Sequence, residues 1–415
     1  MFIVTCMTLT SKILIGMIAG FVLGIIFNSL NLSHTNPINL YLVDGLLDTG
    51  GQIFLSLLRL MVVPLVFFSL VSGVASLENN MNLSVIASKT LGLYLFTTAI
   101  AISLGLIVAI LLEPGIGLNL TTDSNFISPE KPQLKDVIIN IFPTNPVKAM
   151  AEGNMLQIIV FSIFFGAALR SISNKNNPIK DLVNRLTDII LKMVFLIIEI
   201  APYGVFCLIG SLFAKQGIYI LGDLSYYFFI VLGVLFIHGL FTYSSLLLIF
   251  TKINPLTFYN SIKPIIFFAF STSSSNATMP VTLKTVIENL GVSRKIASFT
   301  VPLGATINMD GTAIMQGVAT VFIANAYSID LLFVDYLMVI VTATLASIGT
   351  AGVPGVGLIM LAMVLAQVGL PTEGIALIIG VDRLLDMIRT VVNVTGDSAV
   401  STIVASSENQ LESKI

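Results

Sequence analysis

The sequence predicts an all-α polytopic membrane protein with eight transmembrane helices and two re-entrant helical hairpins. The 415 residues are 56% hydrophobic and only 10% charged, with a mean hydropathy of +0.98. An ordinary soluble domain is about 25% charged. The net charge of −2 argues against a nucleic-acid partner. The two cysteines lie in apolar stretches and histidine is scarce, so neither a disulfide framework nor a Cys or His metal site is indicated.

Six apolar segments come first in the chain and are interpreted as spans, each of which needs about 20 residues to cross a bilayer. The N-terminus lacks a basic region and a clear cleavage site, so it is interpreted as the lead into the first span. Pro64 predicts a kink in the second span. The polar stretch 113–150 contains no apolar span. The six segments are 13–27, 52–77, 90–112, 156–169, 188–213 and 226–250.

Two later segments, about 262–290 and 334–370, are apolar but are broken in the middle by small and polar residues. Such a break leaves backbone groups unpaired at membrane depth, which is tolerated only where protein or a cavity satisfies them. We therefore expect two re-entrant helical hairpins, with tips near Ser273–Pro280 and Ser347–Gly357. A kinked ordinary span is the alternative for each segment.

Each predicted hairpin is followed by a span with a polar middle, so that the chain repeats a hairpin–span unit. One hairpin enters from inside and the other from outside, which makes the repeat inverted. The excess of Lys and Arg in short loops places the N-terminus inside, provided that the hairpins do not span. Inverted repeats whose broken helices meet at mid-membrane are typical of secondary transporters.

The last span, Ile375–Ala405, has the most informative pattern. Each buried charge at the centre of a membrane helix costs about 2.5–3.5 kcal/mol, yet this segment carries five charges. At about 100° per residue, most of its polar residues fall on one stripe. An ion-pair ladder between helices is the alternative, but the Asn and Thr on the stripe suit a small zwitterion better. The charged residues are Asp382, Arg383, Asp386, Arg389 and Asp397.

The residue types on this stripe predict an acidic amino acid as ligand. Arg389 offers a planar fork that matches a carboxylate, and Asp386, one turn earlier, is placed for an ammonium group. Hydrogen bonds are expected from Thr312 and from Ser273, Ser274 and Ser275.

Two further acids suit a cation. Asp310 and Asp397 lie beside Asn308 and Asn393 in sequence, and they could neutralise Na⁺ bound by carbonyls at helix ends. A third cluster, Tyr94, Thr97 and Thr98, shares one helix face. On spacing alone this cluster fits helix packing as well as cation binding.

Four motifs carry a resemblance to a known family. The tip SSSNATMP, the NMDGT box, the tip SIGTAGVPGVG and the final DMIRTVVNVTGD resemble the dicarboxylate/amino acid:cation symporters, the glutamate transporter family. RLMVVPLVF in the second span fits as well. The resemblance covers nearly the whole chain, in order.

The resemblance implies a set of binding residues and Na⁺ as the coupling ion, with no other cofactor. Substrate contacts would be Ser273, Ser274, Ser275, Thr312, Val353, Pro354, Gly355, Gly357, Asp386, Arg389, Thr390 and Asn393. One sodium site would use Gly304, Asn308, Asn393 and Asp397. A second would use Thr306 with the carbonyls of Ser347, Ile348 and Thr350. A third would use Tyr94, Thr97, Thr98, Asn308 and Asp310.

The resemblance also implies a homotrimer with an elevator mechanism. Residues 1–86 and 140–222 would form the trimerisation scaffold, and residues 87–139 and 223–405 the mobile transport domain. The second hairpin would be the outer gate, and residues 406–415 a cytoplasmic tail. We expect a multi-pass protein of a cell membrane, in bacteria the inner membrane, with both termini cytoplasmic.

Single positions indicate the substrate within the family. Members for C4-dicarboxylates have a SECR pattern and lack the acid at Asp386, and members for neutral amino acids lack Arg389. Because this chain has both Asp386 and Arg389, the resemblance points to glutamate or aspartate as the substrate. The chain departs at Ser273 and Met387, where archaeal and animal members respectively carry an Arg. Arg383, one turn before Met387, is expected to fill that space.

Other functions are weighed against sodium-coupled uptake. A proton-coupled relative would use Asp310 and Asp397 as proton carriers, and a C4-dicarboxylate symporter is a further variant. An intramembrane aspartyl protease also needs two buried acids, but it leaves Arg389, Asn393 and both tips unexplained, so no enzyme activity is expected. Ion conduction is treated as a side activity.

Overall fold

The computed structural model describes residues 9–30, 36–37, 39–75, 81–118, 120, 139, 142–172, 177–218, 220–347 and 352–411, and these residues are predominantly helical. The helices in chain order are α1 Leu9–Ser29, α2 Asp48–Ala75, α3 Met81–Leu112, α4 Pro146–Glu152, α5 Met155–Ser171, α6 Pro178–Glu199, α7 Ala201–Gln216, α8 Ile220–Ile237, α9 Tyr243–Phe250, α10 Pro255–Ser261, α11 Lys263–Thr272, α12 Ser275–Glu288, α13 Arg294–Ile307, α14 Asp310–Ala326, α15 Phe333–Ser347, α16 Val356–Gln367 and α17 Ile375–Ser407. A π-helix at Asn39–Leu47 leads into α2, and another at His238–Thr242 joins α8 to α9.

Several helices have the length and composition of a membrane span. Within the described ranges, four segments qualify as single helices, and they coincide with the first, second, third and sixth predicted spans. The predicted fifth span is not straight, because the chain bends by 50° between α6 and α7. Pro202 lies in the first turn of α7, where it cannot donate a backbone hydrogen bond to the preceding helix. The four segments are Ser11–Ser29, Asn39–Ser72, Val85–Leu112 and Leu221–Phe250.

Glycines bring α1 and α7 into close contact. A Cβ atom at Gly20 would lie 2.5 Å from the carbonyl oxygen of Phe206, and one at Gly24 would lie 2.7 Å from that of Gly210. Small residues that let two backbones approach are a common basis of helix association in membranes. The glycines of α1 therefore allow this helix to pack directly against α7.

The variant Gly20→Leu is expected to lower the unfolding temperature of the detergent-solubilised protein. The new side chain would force α1 away from α7, and overpacking of this kind costs about 1–3 kcal/mol. The control is Gly92→Leu, because a Cβ at Gly92 meets no atom within 4 Å. Equal unfolding temperatures for the two variants would contradict the packing role.

Both predicted hairpin segments are pairs of short helices that pack against each other. In the first, α11 and α12 are joined at Ser273, which has a φ of 50°, and Ser274. In the second, α15 packs on α16, and Gly355 precedes α16 with a φ of 82°. These helices have 10 to 15 residues, so none alone reaches the about 20 residues of a span. Their re-entry into a membrane remains a prediction.

The two spans predicted to have polar middles differ in structure. The first is unwound at Asn308 and Met309, between α13 and α14. The second is one continuous helix, α17, as predicted for Ile375–Ala405. Helix α17 contacts α8, α9, α11, α13 and α14, and its polar stripe is buried among them. The stripe therefore faces the protein interior, with the two helix pairs and the unwound segment around it.

Candidate functional site

A cavity lies where the breaks of the helix pairs meet the unwound segment and α17. Eight of the twelve predicted substrate residues line it, and Ser274, Pro354, Gly355 and Arg389 do not. Three residues line it without having been predicted individually. Met309 lies in the NMDGT box, and Gly352 and Val356 lie in the second tip. The lining residues are Ser273, Ser275, Met309, Thr312, Gly352, Val353, Val356, Gly357, Asp386, Thr390 and Asn393.

Helix N-termini surround this cavity. Helix α12 begins there, and the side chain of Ser274 accepts a hydrogen bond from the backbone N–H of Ala277. Helix α14 begins beside it at Asp310, and α16 begins at Val356. Free backbone N–H groups and the helix dipole favour negative charge at such ends. The cavity therefore suits a ligand with carboxylate groups.

Arg389 lies directly behind the cavity wall and is fully buried. Its Nη1 lies 2.7 Å from Asp382 Oδ1, and its Nη2 donates a hydrogen bond of 2.9 Å to Asp386 Oδ1. A Cβ atom at Gly357 would lie 3.4 Å from Nη2, so the guanidinium lies next to a residue that lines the cavity. Arg383 approaches the other oxygen of Asp386 at 3.4 Å. That Arg383 fills the space of the arginines missing at Ser273 and Met387 stays a prediction.

The first predicted sodium set is brought together. Asn308 Nδ2 donates to the carbonyl oxygen of Asn393 and to Asp397 Oδ1, both at 2.9 Å. Gly304 lies so close to Asp397 and Tyr94 that a Cβ would collide with both side chains. The Oδ1 atom of Asn308 is buried without a hydrogen-bond partner in the described part of the chain. Carboxylate, carbonyl and amide oxygens are ligands of the kind that Na⁺ prefers; in this structure the amide nitrogen of Asn308, not its oxygen, faces the other two groups.

The third predicted set is assembled in part, around Asp310. Thr98 Oγ1 donates to Asp310 Oδ1 at 2.5 Å. Tyr94 OH instead donates to the carbonyl of Thr300 at 3.1 Å, and Thr97 Oγ1 donates to the carbonyl of Tyr94 at 3.1 Å. Tyr94, Thr97 and Thr98 are all buried on α3, and of the three, Thr98 bonds to Asp310. The cation role of this set stays a prediction.

Sequence reasoning missed two partners of Asp310. Tyr243 OH donates to Asp310 Oδ2 at 2.8 Å, and His238 Nε2 lies 3.1 Å from the same oxygen. Both side chains are fully buried. His238 is the first residue of the π-helix His238–Thr242 and Tyr243 follows its last residue; such turns occur often at functional sites. A lone histidine inside an apolar span was the available signal.

The second predicted sodium set is described only in part. Thr306 Oγ1 donates to the carbonyl of Leu303 at 2.9 Å, and Ser347 is buried at the end of α15. Ile348 and Thr350 lie outside the described residues. This set therefore stays a prediction.

The chain matches a known protein family over nearly its whole length. The model of the sodium:dicarboxylate symporter family matches residues 9–407. The chain belongs to this family. As a member, it is a multi-pass membrane transporter protein, and the apolar helices described above fit that membership.

Curated relatives of this symporter-family chain carry related names. A proton/sodium-glutamate symport protein of Geobacillus stearothermophilus is 33% identical over 408 residues, covering 96% of this chain and 94% of the relative. A proton/glutamate-aspartate symporter of Escherichia coli (strain K12) is 32% identical, covering 95% and 92%. A C4-dicarboxylate transport protein of Rhodospirillum rubrum is 30% identical, covering 97% and 88%. These names describe transporters, which agrees with the expectation that the protein is not an enzyme.

The tips of the two helix pairs touch in this symporter-family structure. Ser274 Oγ donates to the carbonyl oxygen of Gly352 at 2.7 Å, and the backbone N–H of Asn276 donates to the same oxygen at 3.1 Å. A Cβ at Gly352 would lie 2.6 Å from the carbonyl oxygen of Ala305. The contact joins the first tip to the described part of the second tip beside the cavity.

Proposed function

We propose that this protein is a sodium-coupled symporter of the acidic amino acids glutamate and aspartate across a cell membrane. The observation that carries the proposal is that Asp386 lines the cavity and Arg389, paired with Asp386, lies behind it, close to helix N-termini. A guanidinium binds a carboxylate and a carboxylate binds an ammonium group, so this pair offers a partner for each end of an acidic amino acid; in the present structure the two groups bind each other at 2.9 Å. The side-chain carboxylate binds Arg389, and the ammonium group binds Asp386.

The remaining substrate contacts follow from the lining of the cavity. Hydroxyl groups of Ser273, Ser275, Thr312 and Thr390 supply hydrogen bonds, since each lines the cavity. The Oγ of Ser273 is buried without a partner among the described side chains, and it would gain one from a ligand carboxylate. The α-carboxylate binds at the N-terminal ends of α12 and α16, where the helix dipole favours negative charge; at α12 it would compete with the partners that Asn276 and Ala277 N–H have in this structure. Ser274, Pro354 and Gly355 shape the site as parts of the tips of the two helix pairs. Asn393 lines the cavity and its carbonyl also accepts a hydrogen bond from Asn308 of the cation site.

Sodium ions balance the charge of the substrate. Asn308, Asn393 and Asp397, with the backbone at Gly304, form one cation site. Asp310 and the α3 hydroxyls form another, and Thr306 with the end of α15 contributes to a third. Cations bound next to the substrate offset its negative charge inside the protein, because opposite charges attract strongly in a low-dielectric interior. Binding of substrate and Na⁺ is therefore coupled.

The domain organisation is proposed on the family membership. Residues 1–86 and 140–222 form a scaffold through which three copies associate, and residues 87–139 and 223–405 move together as the transport domain. Helix α17 packs on α8, α9, α11, α13 and α14 of the transport domain and also on α7 of the scaffold. The second helix pair is the outer gate. The protein resides in a bacterial inner membrane with both termini in the cytoplasm.

The first test is uptake of labelled L-aspartate and L-glutamate into proteoliposomes. Under an imposed Na⁺ gradient we expect concentrative uptake of each, which the other substrate inhibits. No uptake of either under Na⁺ or pH gradients, together with uptake of alanine, would show that Arg389 and Asp386 do not have the roles proposed.

A proton-coupled symporter is the second candidate, and one contact favours it. His238 reaches Asp310, and a histidine next to a carboxylate is a common arrangement for moving protons. Uptake driven by a pH gradient alone would establish this candidate and leave the substrate assignment in place. A C4-dicarboxylate substrate is the third variant; uptake of succinate in preference to aspartate would establish it.

The variant Asp397→Asn is expected to raise the Na⁺ concentration for half-maximal aspartate binding by about tenfold or more, the size expected for loss of a charge-assisted contact. The change keeps the shape and the hydrogen bond to Asn308 but removes the charge that neutralises the cation. Na⁺ titrations of aspartate binding to purified protein measure it. The control is Asp335→Asn, which changes a carboxylate that accepts a hydrogen bond from the Leu332 N–H at the start of α15. An unchanged Na⁺ dependence in Asp397→Asn would remove this residue from the cation site.

A further inference from the structure

Asp382 is a buried carboxylate to which the proposed function gives no role. It lies on the polar stripe of α17, 5% exposed, and it does not line the cavity. Its Oδ1 lies 2.7 Å from Nη1 of Arg389. A buried charge is costly unless it is paired, so the ion pair explains how Asp382 is tolerated but not why a carboxylate stands there.

The contact between Asp382 and Arg389 leaves hydrogen-bond donors of the arginine unused. The two charged atoms are close, yet neither Nη1 nor Nε of Arg389 has a hydrogen-bond partner of good geometry among the described residues, and Asp382 Oδ1 has none either. A guanidinium has five N–H donors. Asp382 therefore holds Arg389 mainly by charge, while donors remain for an incoming carboxylate.

Arg389 is shared between two carboxylates that the proposed function needs for different purposes. Its Nη1 faces Asp382 and its Nη2 bonds to Asp386 at 2.9 Å. Asp386 is the carboxylate that must be available to the ammonium group of the substrate. Asp382 is the only one of the two that lies off the cavity wall, so it can stay with Arg389 while substrate binds.

The charge of Asp382 balances the charges of the residues around Arg389. Asp382, Arg383, Asp386 and Arg389 sum to zero, and Asp386 is approached by both arginines. Without the charge of Asp382, Asp386 is the only remaining acid in this cluster. Attraction between Asp386 and the two guanidinium groups then rises, because unscreened charges interact strongly in the interior. The ammonium group would have to compete with Arg389 for Asp386.

We infer that Asp382 is a positioning residue that determines specificity: by holding Arg389 from the side away from the cavity, it keeps Asp386 available to the ammonium group and so favours amino acids over simple dicarboxylates. The inference rests on the proposed function, in which Arg389 and Asp386 bind the two ends of the substrate. It concerns the class of ligand, since succinate has the carboxylates of aspartate but no ammonium group.

The experiment compares two ligands that differ in this one group. Na⁺-dependent binding of L-aspartate to the purified full-length protein is measured directly, and binding of succinate by competition. In Asp382→Asn we expect aspartate affinity to fall by roughly 10- to 100-fold, as for loss of a charged contact, with succinate affinity unchanged or higher. The aspartate-to-succinate ratio therefore falls. A merely structural ion pair would lower both affinities together and leave the ratio as in the wild type.

A double-mutant cycle identifies Asp386 as the residue through which Asp382 acts. In the Asp386→Asn background, Asp382→Asn is expected to leave the aspartate-to-succinate ratio unchanged, because the competing carboxylate is already absent. Independent, additive effects of the two substitutions on the ratio would overturn the inference. Size-exclusion profiles establish that each variant folds.

Asp382→Glu decides the question if Asp382→Asn does not fold. This variant keeps the charge, and the inference expects a ratio within a few-fold of the wild type; a ratio as low as that of Asp386→Asn would overturn it. Wild-type protein that binds neither ligand would contradict the proposed function itself. Wild-type binding with an unchanged ratio in Asp382→Asn would contradict only the role of Asp382.

Discussion

Arg389→Ala is expected to lower the affinity for L-glutamate and L-aspartate by roughly 100-fold or more, since each hydrogen bond to a charged group contributes about 1.5–3 kcal/mol and a carboxylate on a guanidinium makes two. Equilibrium binding to purified protein in saturating Na⁺ measures the change. Neutral amino acids such as alanine are expected to lose much less affinity, because their ammonium and α-carboxylate groups bind Asp386 and the helix ends. The substitution should therefore change the preferred class of substrate.

The charge balance of the site has to be controlled in this experiment. Arg389 neutralises two buried acids, Asp382 and Asp386, and removal of one partner of a buried pair costs about 3–5 kcal/mol. The double variant Arg389→Ala with Asp382→Asn removes one charge of each sign and should recover much of the stability while acidic amino acids still fail to bind. Arg294→Ala, at an exposed position at the start of α13, is the matched control. A folded double variant with wild-type aspartate affinity would exclude Arg389 from the substrate site.

The sequence alone predicted most of the elements that build the cavity. Charges in an apolar segment are expensive, so Asp386 and Arg389 had to face the interior, and α17 is indeed one helix with its polar stripe buried. Serines and glycines in apolar segments likewise predicted the breaks at Ser273 and near Gly355, where the backbone φ is positive. These predictions succeed because each follows from the cost of placing a single group in an apolar environment.

Other features depend on how helices pack and could not be read from spacing. His238 and Tyr243 reach Asp310 only because α8, the π-helix and α9 pass beside α14. The turns of α17 place Asp382 and Asp386 on the same stripe as Arg389, but which nitrogen faces which carboxylate is set by side-chain conformation. The 50° bend after Glu199 had a signal in Pro202, although proline alone does not give the angle.

Gly304→Ala is expected to abolish the effect of Na⁺ on the protein at concentrations that saturate the wild type. A Cβ at this position would lie 2.5 Å from the hydroxyl oxygen of Tyr94 and would also collide with the carboxylate of Asp397. Either side chain has to move, which disrupts both cation sets that meet there. Because a bound ligand stabilises the folded state by mass action, the measurement is the rise in unfolding temperature with added Na⁺. We expect that rise to disappear, and Na⁺-dependent aspartate binding to weaken by about tenfold or more.

A glycine-to-alanine change in a helix also acts on stability by itself, by about 1 kcal/mol in favour of the helix, so unfolding temperatures without Na⁺ are not the readout. Gly233→Ala provides the matched control, because it lies within α8 and a Cβ there meets no atom within 4 Å. This control should keep the full Na⁺-dependent shift. If Gly304→Ala keeps it too, neither Asp397 nor Tyr94 binds the cation next to Gly304, which would contradict the assignment of both sets.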